Sequence, residues 1–284
     1  MGTSETVLGT VAAIWRFPVK SFGGERLATT TLDAVGIPGD RRLALRDAAT
    51  GKILSAKAPG IGTALLECTA VTAPNGHVIA TVAGATFDAE TERDDLAAAL
   101  SDHLGRAVVV DDAVGADDQY ESYWPEVDDV LLSDVTIDLP IAMSTAKTRF
   151  VDLAALQMVA SSSLAYLQRL TPESRIETAR FRPGLVIDTD ATAGGADAFV
   201  ENGWTQRDAR LGDARIHLTD ASPRCVMTTL AQHDLPRDRA VLQTLARHNR
   251  IVTEGLGAFA CLGIYAEVVE PGTVREGDAL IVTG

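Results

Sequence analysis

Short runs of apolar and β-branched residues, each closed by a glycine or proline turn, recur along the chain and predict a mainly β protein. Val7–Pro18 reads as a first strand and Glu25–Asp33 as a second, closed by Gly36-Ile37-Pro38-Gly39-Asp40. Arg41–Arg46, Ile53–Ser55, Ala64–Val71 and Val78–Val82 continue the series, with Ala49-Thr50-Gly51-Lys52 and Pro74-Asn75-Gly76 as hairpin turns. Neighbouring residues on a strand face opposite sides, so only one of Arg41 and Arg42 can point into a site. Leu96, Leu100 and Leu104 repeat every four residues and predict a helix over Asp94–Leu104. Two more helices are expected, over Asp152–Leu170 (Val159, Leu164, Leu167 and Leu170 as the stripe) and over Asp238–Asn249. Leu185–Asp188, Ala214–Thr219, Phe259–Val269 and Ala279–Thr283 read as strands, and Pro271–Asp278 as a closing hairpin turn. Thr189–Asp197 reads as a loop of small residues.

The pattern changes character over Asp111–Asp138. Here Asp117, Asp118, Glu121, Glu126, Asp128 and Asp129 interleave with Tyr120, Tyr123 and Trp124, and a solvated connecting loop is expected. The fold class that follows is mixed and β-rich (α+β), with a β-barrel or sandwich subdomain at 1–110, an acidic connector at 111–143 and a second domain at 144–284.

Composition narrows the chemistry. The formal net charge of -14 over 284 residues argues against nucleic acid as a partner, which requires a basic face. It leaves room for an anionic ligand, because clustered arginines and lysines focus positive potential locally. The three cysteines, Cys68, Cys225 and Cys261, make no disulfide framework and cannot hold a four-cysteine iron–sulfur cluster. No zinc spacing appears among the five histidines. Val7–Phe17 is too short and interrupted for an export or membrane segment, and Met1–Thr6 matches a myristoylation pattern only formally. The expectation is a reduced cytoplasmic protein with no membrane affinity.

Two stretches carry candidate chemistry. Ser222-Pro223-Arg224-Cys225 reads as a loop presenting a side chain, since proline fixes φ and lacks an N–H. An arginine beside a thiol favours thiolate, the form that attacks electrophiles and binds metals, while the plain alternative is a structural cysteine at a strand end. Lys20-Ser21, just before Gly23-Gly24, suits either an oxyanion-binding loop or a solvated hairpin tip.

Taken in order, Pro18-Val19-Lys20-Ser21, Gly39-Asp40-Arg41-Arg42, Phe181-Arg182-Pro183, Ser222–Thr229 and Pro271–Asp278 resemble the two-part MOSC-domain family. The resemblance spans essentially the whole chain. It implies an N-terminal MOSC-type β-barrel subdomain packed on a MOSC β-barrel domain with peripheral helices. It also implies a molybdenum oxidoreductase, similar to the amidoxime-reducing branch, that carries a molybdopterin-type cofactor and reduces N-hydroxylated or N-oxide-type small molecules. By the same resemblance Cys225 is the metal ligand, and Lys20, Ser21, Arg41 and Arg182 hold the pterin and phosphate. Arg224 and Thr228 line the metal pocket, and Asp152 matches a frequent site aspartate. Soft thiolate suits such a metal, and guanidinium groups with a lysine suit a phosphate. With too few cysteines for a cluster and no nucleotide fingerprint, electrons are expected from a separate iron–sulfur or flavin reductase. Sulfur transfer through a persulfide on Cys225, or a non-catalytic cofactor carrier, are the alternatives. Two positions depart from the family pattern: Gly184 stands where relatives have asparagine, and Leu262-Gly263-Ile264 where many have Phe-Gly-Gln.

Overall fold

A computed structural model describes residues 5–124, 135–189, 198–253 and 257–283. Glu126, Asp128, Asp129 and most of the Thr189–Asp197 loop therefore lie outside the described residues.

Seven strands close into a barrel. In order around the wall they are Leu156–Ala160, Leu185–Asp188, Glu5–Arg16, Ala279–Thr283, Arg207–Leu211, Ala214–Pro223 and Gly257–Glu270, which pairs back onto Leu156–Ala160. Closure removes the exposed sheet edges that a strand-rich chain must otherwise protect. The strand Glu5–Arg16, at the start of the chain, is thus a stave in a wall built otherwise from the second half. Leu156–Ala160 and Leu185–Asp188 run parallel, and the helix Ser161–Leu170 lies in the connection between them. Inward-facing Val11, Ile14, Leu156, Met158, Leu185, Ile187 and their neighbours fill the barrel. Outside it, Val159 packs with the helices Ser161–Leu170 and Ala240–His248 in a separate apolar cluster.

The remaining N-terminal residues form a second β-rich layer. Its sheet Thr69–Thr72, Val78–Val82, Ala85–Asp88 and its pair Ala44–Asp47 with Val108–Asp111 enclose a core with the helix Arg93–Leu104. Leu96 and Leu100 are the buried residues of that helix, as the four-residue repeat predicts. The β-rich fold class stands.

Several elements differ from the sequence reading, each for a local reason. Ala64–Val71 is a helix, Gly62–Glu67, followed by the strand Thr69–Thr72. Leu65 and Leu66 are both buried, and two consecutive inward side chains contradict strand alternation. The helix expected over Asp152–Leu170 begins only at Ser161, because Leu156, Met158 and Ala160 keep a period of two and face the barrel. Glu25–Asp33 splits: Glu25–Leu27 pairs with the first strand, while Thr29–Leu32 pairs with Gly272–Arg275 inside the expected closing turn. Arg41–Arg46 becomes a strand only from Ala44, and Ile53 makes isolated bridges. The solvated loop expected over Asp111–Asp138 is corrected most: Gln119–Trp124 and Val135–Pro140 form an antiparallel hairpin, and Tyr120 on it is buried.

One glycine is essential to the barrel's closure. Gly263 has a φ of 85°, and a Cβ there would meet Met158 O at 2.3 Å on the neighbouring strand. Gly263→Ala should therefore lower stability by about 3 kcal/mol through backbone strain and collision, read as a reduced urea midpoint.

Candidate functional site

A cavity of about 300 Å³ opens where the outer face of the barrel meets the N-terminal layer. Six cationic residues line it (Lys20, Arg41, Lys57, Arg180, Arg182 and Arg224) against two carboxylates, Asp40 and Asp152. In a chain of net charge -14 this is a concentrated positive interior. All of Lys20, Ser21, Arg41, Asp152, Arg182, Arg224, Cys225 and Thr228 lie on its walls. The fold thus brings together residues up to about two hundred positions apart.

Three of them sit in the left-handed backbone region that non-glycine residues avoid: Ser21 at φ 69°, Arg41 at 47° and Arg182 at 50°. Each such residue costs about 1–3 kcal/mol and persists where surrounding structure dictates it. Ser21 uses the turn to accept a hydrogen bond from Ala56 N–H at 3.0 Å. At Arg41 the turn sends one guanidinium toward the cavity while Arg42 pairs outside with Glu90. One arginine of the two does enter, through a turn where a strand was expected.

Arg41 and Arg182 lie over the Phe17 ring, at 5.0 and 4.2 Å from its centroid. Arg41 pairs with Asp40 and donates to Arg182 O at 3.3 Å. Arg182 donates from Nη1 to Phe22 O at 2.6 Å, yet its Nη2 is buried with no partner. Burial and the neighbouring Arg41 charge pull Arg182 down to about 9. A buried guanidinium with a spare donor is costly, and an anion at Nη2 removes that cost.

Asp152 stands between two lysines. Lys20 Nζ donates to Oδ1, and Lys57 Nζ lies 2.8 Å from Oδ2. Both ammonium groups lie over the Tyr120 ring, and Lys57 also donates to the Tyr120 hydroxyl at 3.2 Å. Burial works against the carboxylate, but Lys20 and Lys57 hold Asp152 well below the usual carboxylate range. Burial also works against Lys57, and Asp152, Tyr120 and Cys225 outweigh it to carry Lys57 above the lysine range. For Lys20 burial prevails and lowers it despite Asp152.

Cys225 is half-buried and free, at the head of the short turn Val226–Thr229 just beyond the strand Ala214–Pro223. Thr228 closes that turn, donating from N–H and Oγ1 to Cys225 O at 3.2 and 3.1 Å. Fully buried Arg180 clamps it from behind, donating to Thr228 O at 3.2 Å, Leu230 O at 3.3 Å and Pro236 O at 2.9 Å. Arg224 turns its guanidinium into the barrel wall, donating to Leu262 O at 2.7 Å and Phe181 O at 3.0 Å. It fastens the cysteine's backbone to the neighbouring strand. Cys261 is buried and its thiol is pushed up to about 11, the behaviour of a small core residue.

The sequence reading missed Lys57, Tyr120 and Gln157. Lys57 falls in the unassigned stretch after Ile53–Ser55, and Tyr120 in a segment read as an acidic loop. Gln157 faces out of the barrel wall onto the cavity, with its Oε1 buried and unpartnered. It is the polar side chain beside Gly184, whose N–H donates to Gln157 O at 2.9 Å. Ile264, the other departure from the family pattern, is buried in the barrel core and does not line the cavity.

Residues 145–281 match the model of the MOSC domain, and residues 8–64 that of the MOSC N-terminal beta barrel domain. The chain is 24% identical over 139 residues to mitochondrial amidoxime-reducing component 1 of Homo sapiens, covering 48% of this chain and 39% of that relative. It therefore spans well under half the length of that curated relative. Among solved structures it is similar to the YUAD protein from Bacillus subtilis (11% identity, TM-score 0.47, covering 100% of this chain and 99% of that one). It is also similar to YiiM from Escherichia coli (16% identity, TM-score 0.31, covering 46% and 54%).

Asp152→Asn should leave two buried lysines facing each other and lower stability at pH 7 by about 2–3 kcal/mol in urea unfolding. The carboxylate is depressed in the folded state, so its contribution is present above the unfolded value near 4 and is lost as pH falls below it. The stability gap between the two proteins should accordingly narrow below about pH 4.

Proposed function

The chain belongs to the MOSC-domain family, and from that premise we propose that it binds a molybdopterin-type molybdenum cofactor and reduces N-hydroxylated or N-oxide-type small molecules. MOSC domains are associated with molybdenum-cofactor binding. The observation that carries the cofactor reading is Arg182 Nη2, a buried cationic donor without a partner in a cavity with an excess of positive charge. A phosphate-bearing ligand satisfies it. The donor set also fits at the other end, where half-buried Cys225 offers the soft sulfur that such a metal favours.

Arg182 and Arg41 would grip the phosphate, with Lys20 adding a point charge beside them. Ser21, whose hydroxyl oxygen accepts from Ala56, keeps its O–H proton to offer. Asp152 holds Lys20 and Lys57 in place, and Gln157 offers an unpaired amide oxygen to a ring N–H. Cys225 would ligate the metal, while Arg224, Thr228 and Arg180 hold its backbone rigid. When bound, the molybdenum centre supplies the two-electron exchange that turns R–NH–OH, two electrons and two protons into R–NH₂ and water. The electrons would come from a separate iron–sulfur or flavin reductase, and the setting would be cytoplasmic. Among the described residues no helix is long and apolar enough to cross a membrane.

Protein produced with ample molybdate should contain molybdenum by elemental analysis and reduce hydroxylamines when given an electron donor. Cys225→Ala should abolish both metal retention and turnover, and full molybdenum content in that variant overturns the ligand role. Arg182→Gln should reduce cofactor retention by at least about tenfold, the effect of removing a charged hydrogen bond. A mass gain of one sulfur at Cys225, in metal-free protein active as a sulfur donor, would instead establish the persulfide chemistry.

A further inference from the structure

The cavity combines a deep cluster of cations with an apolar rim. Most of its charged residues are deep: Lys20, Lys57 and Arg182 are each less than 10% exposed, with Arg41 and Asp152 partly open. Its exposed apolar residues stand at the opening, where Ile137 is 37% and Met143 41% exposed, while Ile37, Val151 and Phe181 line it deeper. Ile137 and Met143 are two of the few large apolar side chains that the described surface leaves open. Trp124 and Phe259 stand with them, their rings 5.4 Å apart and tilted by 55°. A hydrophobic rim around a concave charged floor has a use for a ligand whose body is apolar and whose head is polar.

The hairpin missed in the sequence builds this arrangement. Tyr120 pairs across it with Leu139, Ser122 with Ile137, and Trp124 with Val135, and these cross-strand partners share one face. That single face therefore begins at Tyr120, whose hydroxyl meets Lys57, and runs through Leu139 and Ile137 to Trp124 at the rim. Phe259, on the barrel strand Gly257–Glu270, completes the rim from the opposite wall.

We infer that the rim formed by Trp124, Ile137, Leu139, Met143 and Phe259 is a specificity site selecting N-hydroxylated substrates with an apolar, preferably aromatic, body. This rests on the proposed reduction of N–O bonds, and it adds which members of that class enter. The N–O end goes down toward Cys225 while the apolar body stays against the hairpin and Phe259.

The test compares two hydroxamic acids that share a head and differ in body, benzohydroxamic and acetohydroxamic acid. Binding to the cofactor-loaded protein is measured by calorimetry, and turnover is measured separately with an electron donor. The wild-type protein should bind the aryl compound at least about tenfold tighter, the worth of burying most of one ring face. In the double variant Ile137→Glu, Met143→Glu, which changes only exposed positions, that ratio should fall to about twofold or less. Equal affinities in the wild-type protein, or an undiminished ratio in the variant, overturn the inference. A variant that keeps its ratio but accepts electrons more slowly from its reductase also overturns it, and assigns the rim to the protein partner. Selective binding without turnover of either compound leaves the rim standing and sinks the reductase reading. Turnover without selectivity does the reverse.

Discussion

Buried positive charge is the constraint around which this molecule is arranged. Six cationic side chains converge on one cavity, and only two carboxylates answer them. Asp152 meets most of that cost by bonding two lysines at once, one from each of two separated N-terminal segments. Arg224 and Arg180 are neutralised differently, by aiming at backbone carbonyls of the barrel wall and the cysteine turn. Of these cations Arg182 keeps a buried donor without a partner. An uncompensated buried cation is a standing penalty in the free protein, and it becomes binding energy for an anion of the right reach.

The backbone serves the same end. Ser21, Arg41 and Arg182 all occupy left-handed conformations, and each faces the cavity. Beside them stands a closed barrel whose interior is filled mainly with aliphatic side chains. The cysteine turn gains its rigidity from Thr228 within and Arg180 behind. A ligand meeting such a site finds its partners already held, so little ordering entropy remains to be lost on binding.

The two departures from the family pattern separate once placed in space. Ile264 belongs to the barrel core, where an apolar residue packs against Met158 and its neighbours. Gly184 does line the cavity, but a Cβ there would meet Ile37 Cδ1 at 3.0 Å and Leu156 Cδ1 at 3.3 Å. The polar group at that wall is Gln157, which reaches the cavity from the adjacent strand because Gly263 leaves room for its amide.

Local patterns in the chain determined its β-rich class, the helix with Leu96 and Leu100, and the motif residues Lys20, Ser21, Arg41, Arg182, Arg224 and Cys225 as a group. These were legible because period, turn chemistry and contiguous motifs are properties of near neighbours. Only the tertiary structure decided what each of them contacts. It showed Arg224 bonded to the wall, Arg182 left with a free donor, and Asp152 set between Lys20 and a Lys57 that no motif marks. It also turned an acidic stretch into the hairpin that carries Tyr120 and Trp124 to the cavity. Their contacts depend on pairings between residues as much as 160 positions apart, as for Phe22 and Arg182. Charge density along a segment reports its contact with water, whereas the face it buries is set by the strand it meets.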